Sequence, residues 1–224
     1  MERKRAVTDS QKEQRRQTML DAAEKRFTEA AYEVISMDEI AQQAKVAKGT
    51  LYLYFKTKEA LFLALYTRVL EQWFDEIDAR LGKLAVAQDA CTTAEFTTLV
   101  GETLSHYPIL TRLMSITHSI LERNIDATAA LAFKQMLSMR LLHTGQLTET
   151  CLPFLKPGQG PHLFLQLYAL VIGIQSMAEP APVVRPLLER PDLQIFQIDF
   201  SKELLSALTL LLLGIESQAR NQYN

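Results

Sequence analysis

Residues 1–107 contain no proline; all eight prolines of this 224-residue chain lie at or beyond Pro108. Proline inside a helix removes a backbone donor and clashes with the preceding turn, so its absence leaves the first half of the chain free to be helical almost throughout. No run shows sustained period-two alternation of apolar and polar residues, the pattern of a half-buried strand. The expected fold class is all-α. An apolar content of 48% is enough for one large domain or a small domain joined to a larger one.

Periodicity and capping residues divide the chain further. A first helix starts near Asp9 or Ser10 and carries Leu20, Ala23, Phe27 and Ala30 or Ala31 on one stripe. Ser36-x-x-Glu39 is a capping box, in which each side chain satisfies a free backbone N–H of the first turn; the helix it opens buries Ile40, Ala41 and Ala44. A third helix begins near Ala47 and ends before Thr57, which can cap a long fourth helix reaching about Leu81. The fourth carries Phe62, Tyr66, Val69, Trp73, Ile77 and Leu81 on one stripe. Two short helices with a tight turn between them, braced by longer ones, make a helix-turn-helix. Further helices are expected near 93–106 (behind a second capping box, Thr92-x-x-Glu95), 109–123, 126–151, 161–178 and 200–219, about nine in all, with proline-broken connections at 152–161 and 179–191.

The net charge of -2 conceals an asymmetry: residues 1–60 hold 12 basic and 10 acidic side chains, the remainder 12 and 16. A slightly basic head sits on an acidic body. Cys91 and Cys151 read as small buried thiols of a reducing compartment, and no apolar stretch follows the basic N-terminus to make a secretory signal. A cytoplasmic location is expected. The stretch 161–178 has no charged side chain and approaches the length of a membrane span. Gln166, Gln175, Ser176 and the lack of nearby basic residues favour instead a helix packed against protein on one side and a partner on the other.

Residues 45–58 hold four lysines and two tyrosines and no carboxylate. Winding 48–55 as a helix places Leu51 and Phe55 on an inner face and Gly49, Thr50 and Leu53 at the centre of an outer one, flanked by Tyr52 and Tyr54. Glycine inside a helix costs about 1 kcal/mol relative to alanine, and an exposed leucine has no use in a solitary domain. Against DNA each has one: Gly49 lets the backbones approach, Leu53 meets a thymine methyl, Thr50 bonds a base edge or phosphate, and the tyrosine hydroxyls reach phosphates. Lys48 and Lys58 lie in first turns of helices, where a cation is disfavoured by roughly 0.3–1 kcal/mol unless a phosphate also binds; the N–H groups at the Ser36 cap add anion donors. The bland alternative is a solvated charged loop beside ordinary core aromatics.

The stretch "EKRFTEAAYEVISMDEIAQQAKVAKGTLYLYFKTKEALF" resembles the DNA-binding domain of the TetR family of transcriptional regulators, with its Ser/Thr cap, I-A pair, K-G-T-L-Y segment and following K-E-x-L. The resemblance implies phosphate and base contacts at Ser36, Lys48, Gly49, Thr50, Tyr52, Leu53, Tyr54 and Lys58. Three positions depart from the pattern: Ala31 and Lys45 replace glycines, and Ala47 replaces the serine that caps the third helix. A positive φ at Ala31 or Lys45 would cost roughly 1 kcal/mol each. Lys45 is a further candidate phosphate contact.

The family's plan implies a DNA-binding domain over 1–60 and an effector-binding and dimerisation domain over 61–224. It also implies a homodimer, for which the helices near 161–178 and 200–219 are the most apolar candidates, reading a double-stranded operator of two-fold symmetry. Candidate effector-pocket residues are Trp73, Met114, Thr117, His118, Leu121, Phe133, Met136, Leu137, Arg140, Tyr168 and Ile172, equally readable as ordinary helix core. His118, Glu122 and His143 are too sparse a set to expect a metal, and no cofactor is expected. No phosphate loop, Gly-x-Ser-x-Gly elbow or His-Glu-x-x-His motif points to an enzyme. The expected function is a DNA-binding regulator, a repressor released by a small, largely apolar effector, with no membrane partner. The rival reading is a helical small-molecule or lipid carrier with its basic head on acidic membranes.

Overall fold

A computed structural model describes residues 2–87 and 91–221, apart from the side chains of residues 2–8, Ala87 and His118. Among the described residues every regular element is helical: α1 (Glu2–Glu29), α2 (Met37–Gln43), α3 (Lys48–Tyr54), α4 (Lys58–Ala87), α5 (Thr93–Ser105), α6 (Pro108–Ile116), α7 (Ala127–Cys151), α8 (Gln159–Ala178) and α9 (Phe200–Asn221). The all-α expectation holds. The chain forms two compact units, one taking residues up to Arg68 together with Ile116–Leu131, the other taking Val69–Ser115 and the chain from Ala132.

The first unit is built around α1. Met19, Leu20, Ala23 and Phe27 are buried, but the stripe stops there, with Ala30 half-buried and Ala31 exposed. Phe62 receives the edges of two rings, Phe27 at 5.3 Å and Tyr32 at 4.9 Å, an arrangement that suits the aromatic quadrupole. Arg68 binds back to α1 through Asp21 at 2.6 Å and Glu24 at 2.7 Å. Two expectations for this region are corrected. The first helix begins at Glu2 rather than near Asp9, because neither Asp9 nor Ser10 is a helix breaker and good helix formers precede them. Tyr32–Val34 form a 3-10 turn with Ala31 at φ -71°, so the alanine there carries no positive-φ cost.

In the second unit α9 packs against both α5 and α8, and α4 meets α5 through the bond from Trp73 to Thr103. Trp73 and Phe74 meet Phe164 of α8 at 6.1 and 6.4 Å. The start of α8 lies against α7 with no room for side chains. A Cβ on Gly145 would come within 2.3 Å of Pro161, and one on Gly160 within 2.1 Å of the Gly145 carbonyl. Glu149 fixes this joint by accepting from the N–H groups of Gly158 and Gly160, each at 2.8 Å.

The remaining differences lie at helix ends. The fourth helix continues to Ala87, six residues beyond Leu81, since nothing in "GKLAVA" stops it. The helix expected over 109–123 ends at Ile116 and passes into a π-helical turn over Thr117–Leu121. The connection expected over 152–161 already becomes helix at Gln159, entered through Gly158 at φ +89°. The proline-rich connection contains 3-10 turns at Arg185–Glu189 and Pro191–Phe196.

Candidate nucleic-acid interface and effector pocket

The helix-turn-helix begins at a complete capping box. Ser36 Oγ accepts from the Glu39 N–H at 3.2 Å, and the Glu39 carboxylate accepts from the Ser36 N–H at 2.8 Å. That backbone bond, then the Ser36 hydroxyl, hold the Glu39 pKa below the ordinary carboxylate value. Arg26 of α1 reaches the same carboxylate at 2.7 Å and ties α2 to α1.

The turn from α2 to α3 passes through Lys45 at φ +55°, the positive-φ position expected of the glycine it replaces. The Val46 N–H closes the turn by donating to the Ala41 carbonyl at 3.0 Å. Ala47 stands at the N-cap of α3 with no side-chain bond, so the missing serine is not replaced by another cap.

α3 buries Leu51, and Phe55 follows it inward. On the other side Leu53 is 84% exposed and Tyr52 41%, Thr50 and Tyr54 are half-buried, and a Cβ on Gly49 would meet nothing within 4 Å. Ser36, Lys45 and Lys48 are exposed. These residues lie on or beside one face, as the helical winding predicts.

Both lysines at helix starts differ from expectation. Lys48 is no uncompensated cation, because Asp38 of α2 pairs with it at 2.7 Å and thereby raises its pKa. Lys58 is turned inward: its ammonium donates to the carbonyls of Tyr32 at 2.5 Å and Ile35 at 2.7 Å and lies 3.9 Å from the centre of the Tyr32 ring. Burial holds its pKa below the ordinary lysine value. The Tyr32 hydroxyl in turn donates to Glu59 at 3.0 Å. Lys58 thus stitches the start of α4 to the turn before α2, instead of standing free for a phosphate. Sequence reasoning missed Asp38 and Tyr32. Asp38 could have been suspected as an acid in the first turn of α2, whereas nothing local marks Tyr32.

Comparison with known proteins bears on this surface directly. The family described as bacterial regulatory proteins, tetR family, matches residues 19–65, and the one described as Tetracyclin repressor-like, C-terminal domain, matches residues 67–219. The chain belongs to the TetR family. The uncharacterized HTH-type transcriptional regulator YhgD of Bacillus subtilis (strain 168) is 41% identical over 64 residues, 29% of this chain and 34% of that protein. The HTH-type transcriptional repressor KstR of Mycobacterium tuberculosis is 30% identical over 147 residues, 63% of this chain and 64% of that protein. The chain therefore spans less than two thirds of the length of these curated relatives. The solved structure of the fatty acid degradation regulator FadR from Bacillus halodurans shares the fold, with a TM-score of 0.55 at 20% identity over 89% of this chain and 95% of that one.

In this TetR-family chain the residues expected to line an effector pocket are only partly brought together. Thr117, His118 and Leu121 fall in the first unit and the others in the second, and the His118 side chain lies outside the described residues. Trp73, Met114 and Phe133 are buried. The Trp73 indole donates to Thr103 Oγ1 at 3.1 Å, which satisfies its polar atom within the core. Tyr168 reaches the Met114 carbonyl at 3.5 Å, and Ile172 is half-buried. Arg140 does not stand free for a ligand: it pairs with Asp75 at 2.6 Å and Asp78 at 3.3 Å and stacks 5.4 Å above Phe74. Met136 and Leu137 are half-buried, and Leu137 lines a shallow recess of about 260 Å3 together with Pro161 and Leu165. Among the described residues no group of three or more His, Cys, Asp or Glu side chains is arranged to hold a metal ion.

Proposed function

We propose that this chain is a homodimeric, one-component transcriptional repressor of the cytoplasm that binds a near-palindromic operator and is released by a small, largely apolar effector. The observation that carries the reading is the outer face of α3, where Leu53 is 84% exposed beside Tyr52 and above an unobstructed Gly49. A major groove accepts a helix whose backbone comes close and whose apolar side chain meets a thymine methyl. Leu53 and Thr50 are the proposed base-reading residues. Ser36, Lys45, Lys48, Tyr52 and Tyr54 are the proposed phosphate contacts, Lys48 after exchanging Asp38 for a phosphate, and Lys58 acts as a positioning residue.

The proposed dimer pairs α8 and α9 with their copies. Leu165 and Met177 of α8 and Leu210 and Leu213 of α9 remain exposed in the single chain, which favours a partner surface there. By length and composition α8 could cross a membrane, with a mean hydropathy of 1.2. Its Leu163, Phe164, Leu167, Val171 and Ile174 are buried against protein, and no membrane role is proposed. The proposed division of labour assigns residues 1–60 to DNA and 61–224 to effector and dimer. Effector and operator then weaken each other's binding by the same factor.

Selection of bound fragments from sheared genomic DNA, followed by mobility-shift titration at several salt concentrations, tests the reading. A near-palindromic fragment should emerge and bind less tightly as salt rises. Recovery of fragments with no common element would remove operator recognition.

A further inference from the structure

A half-open groove of about 610 Å3 runs between α5, the start of α6, the C-terminal end of α8 and the start of α9. None of the residues expected to hold the effector lines it. Its floor includes Leu104 and Leu204, both buried, and at Gly101 the two helices come so close that a Cβ would meet Leu205 at 2.8 Å.

Two polar side chains on this lining stand out from the apolar ones. Gln175 is 6% exposed and Thr111 7%, and neither side chain has a hydrogen-bond partner among the described residues. Polar groups so nearly enclosed find partners in protein, solvent or a ligand, and here the groove is the side from which a partner can reach them. An amide and a hydroxyl that border the same groove and are bonded to no other described side chain offer a bound molecule two polar anchors on an otherwise apolar lining.

The charged lining residues are both acidic, Glu102 of α5 and Glu179 at the end of α8. Arg80 pairs with Glu102 at 2.7 Å and Arg112 with Glu179 at 3.7 Å, but neither arginine lines the groove. An incoming anion therefore meets carboxylates first. We propose that this groove binds a neutral or cationic amphipathic small molecule, its apolar part along Leu104 and Leu204 and its polar group on the Gln175 amide. The site lies outside the effector set given above, and it requires neither DNA binding nor release.

The test uses the full-length protein without DNA, so its failure is separate from failure of operator recognition. Dodecyltrimethylammonium, dodecyldimethylamine N-oxide and dodecanoate are titrated below their micelle-forming concentrations, with binding read by calorimetry. The fluorescence of the single tryptophan provides a second signal, since Trp73 is bonded to Thr103 of α5. The cationic and neutral probes should saturate at one per protomer, with dodecanoate weaker by about tenfold, the effect expected of partly screened carboxylates. Thr98→Phe, which fills the exposed rim, should weaken the N-oxide by excluding it sterically, and Gln175→Leu, which removes the amide, should weaken it by about tenfold, the loss expected for one hydrogen bond. Equal affinity for all three probes, no saturable binding, or undiminished binding by both correctly folded variants would overturn the proposal.

Discussion

Replacing Lys58 with methionine separates a residue that positions the DNA-reading unit from one that touches the nucleic acid. Methionine keeps most of the apolar stem and deletes the ammonium that now bonds the Tyr32 and Ile35 carbonyls. A hydrogen bond to a charged group contributes roughly 1.5–3 kcal/mol, but here the gain is offset by removing the ammonium from water. The Tyr32 carbonyl also keeps a second donor, the Ile35 N–H at 3.2 Å, so the Ile35 carbonyl suffers the larger loss. The contact with the Tyr32 ring adds about 0.5–1 kcal/mol. The expected net destabilisation is about 2 kcal/mol, or roughly 5 °C in melting temperature for a chain of this size. Differential scanning calorimetry measures the loss, and mobility shifts over a range of salt, well below the melting transition, measure the DNA slope. The slope should match the parent protein. A variant as stable as the parent, with a slope shallower by about 0.9 per protomer, would refute the structural role and return Lys58 to the phosphate contacts.

Leu53→Ala should relax base preference at one position per half-site, by about 1–3 kcal/mol of discrimination, while leaving the salt slope intact; competition against single-base operator variants reads this out. Leu210→Glu, at an exposed position of α9, should convert the dimer into a folded monomer, visible by light scattering coupled to size-exclusion chromatography with an unchanged far-ultraviolet spectrum. The capping-box carboxylates of Glu39 and Glu95 both titrate below their ordinary value of 4.5, chiefly because the Ser36 and Thr92 N–H groups bond the ionised form. A depressed folded pKa gives stability that is present above the unfolded value and is lost as pH falls through the folded one. The urea midpoint should therefore decline below about pH 4.5, and the double replacement Glu39→Gln and Glu95→Gln should flatten that decline; an equally steep acid limb in the double variant would exclude the caps as its source.

Features set by neighbours within about four residues were legible in the sequence. Both capping boxes form as the spacing of Ser36 and Glu39 and of Thr92 and Glu95 predicts, because each needs only one turn of helix. The inner and outer faces of α3 follow from winding Leu51, Leu53 and Phe55, and the positive φ of Lys45 follows from its standing in a glycine's place. What depends on distant partners was not legible. The pairing of Lys48 with Asp38 spans ten residues, and the bonds from Lys58 to Tyr32 and Ile35 span 26 and 23. Nothing periodic announces the 3-10 turn at Tyr32–Val34 that presents those carbonyls.

The body shows the same limit on a larger scale. Helical winding identifies Arg140 and Trp73 as inward-facing but does not reveal that Asp75 and Asp78 already hold one terminal nitrogen of Arg140 or that Thr103 holds the Trp73 indole N–H. Gln175 reads in the sequence as a polar blemish on an apolar helix. Only the packing of α8 against α9 encloses most of its side chain and leaves the amide at the edge of a cavity.

The central claim is that the surface around Gly49, Tyr52 and Leu53 enters a DNA major groove. Hydroxyl-radical footprinting of the selected operator, with a reactive iron chelate tethered at a cysteine introduced at Leu53, tests it most directly. Two clusters of cleavage centred in successive major grooves, about 34–36 Å apart on one side of the duplex, are the predicted result. Cleavage spread evenly along the fragment, or confined to minor grooves, would contradict it.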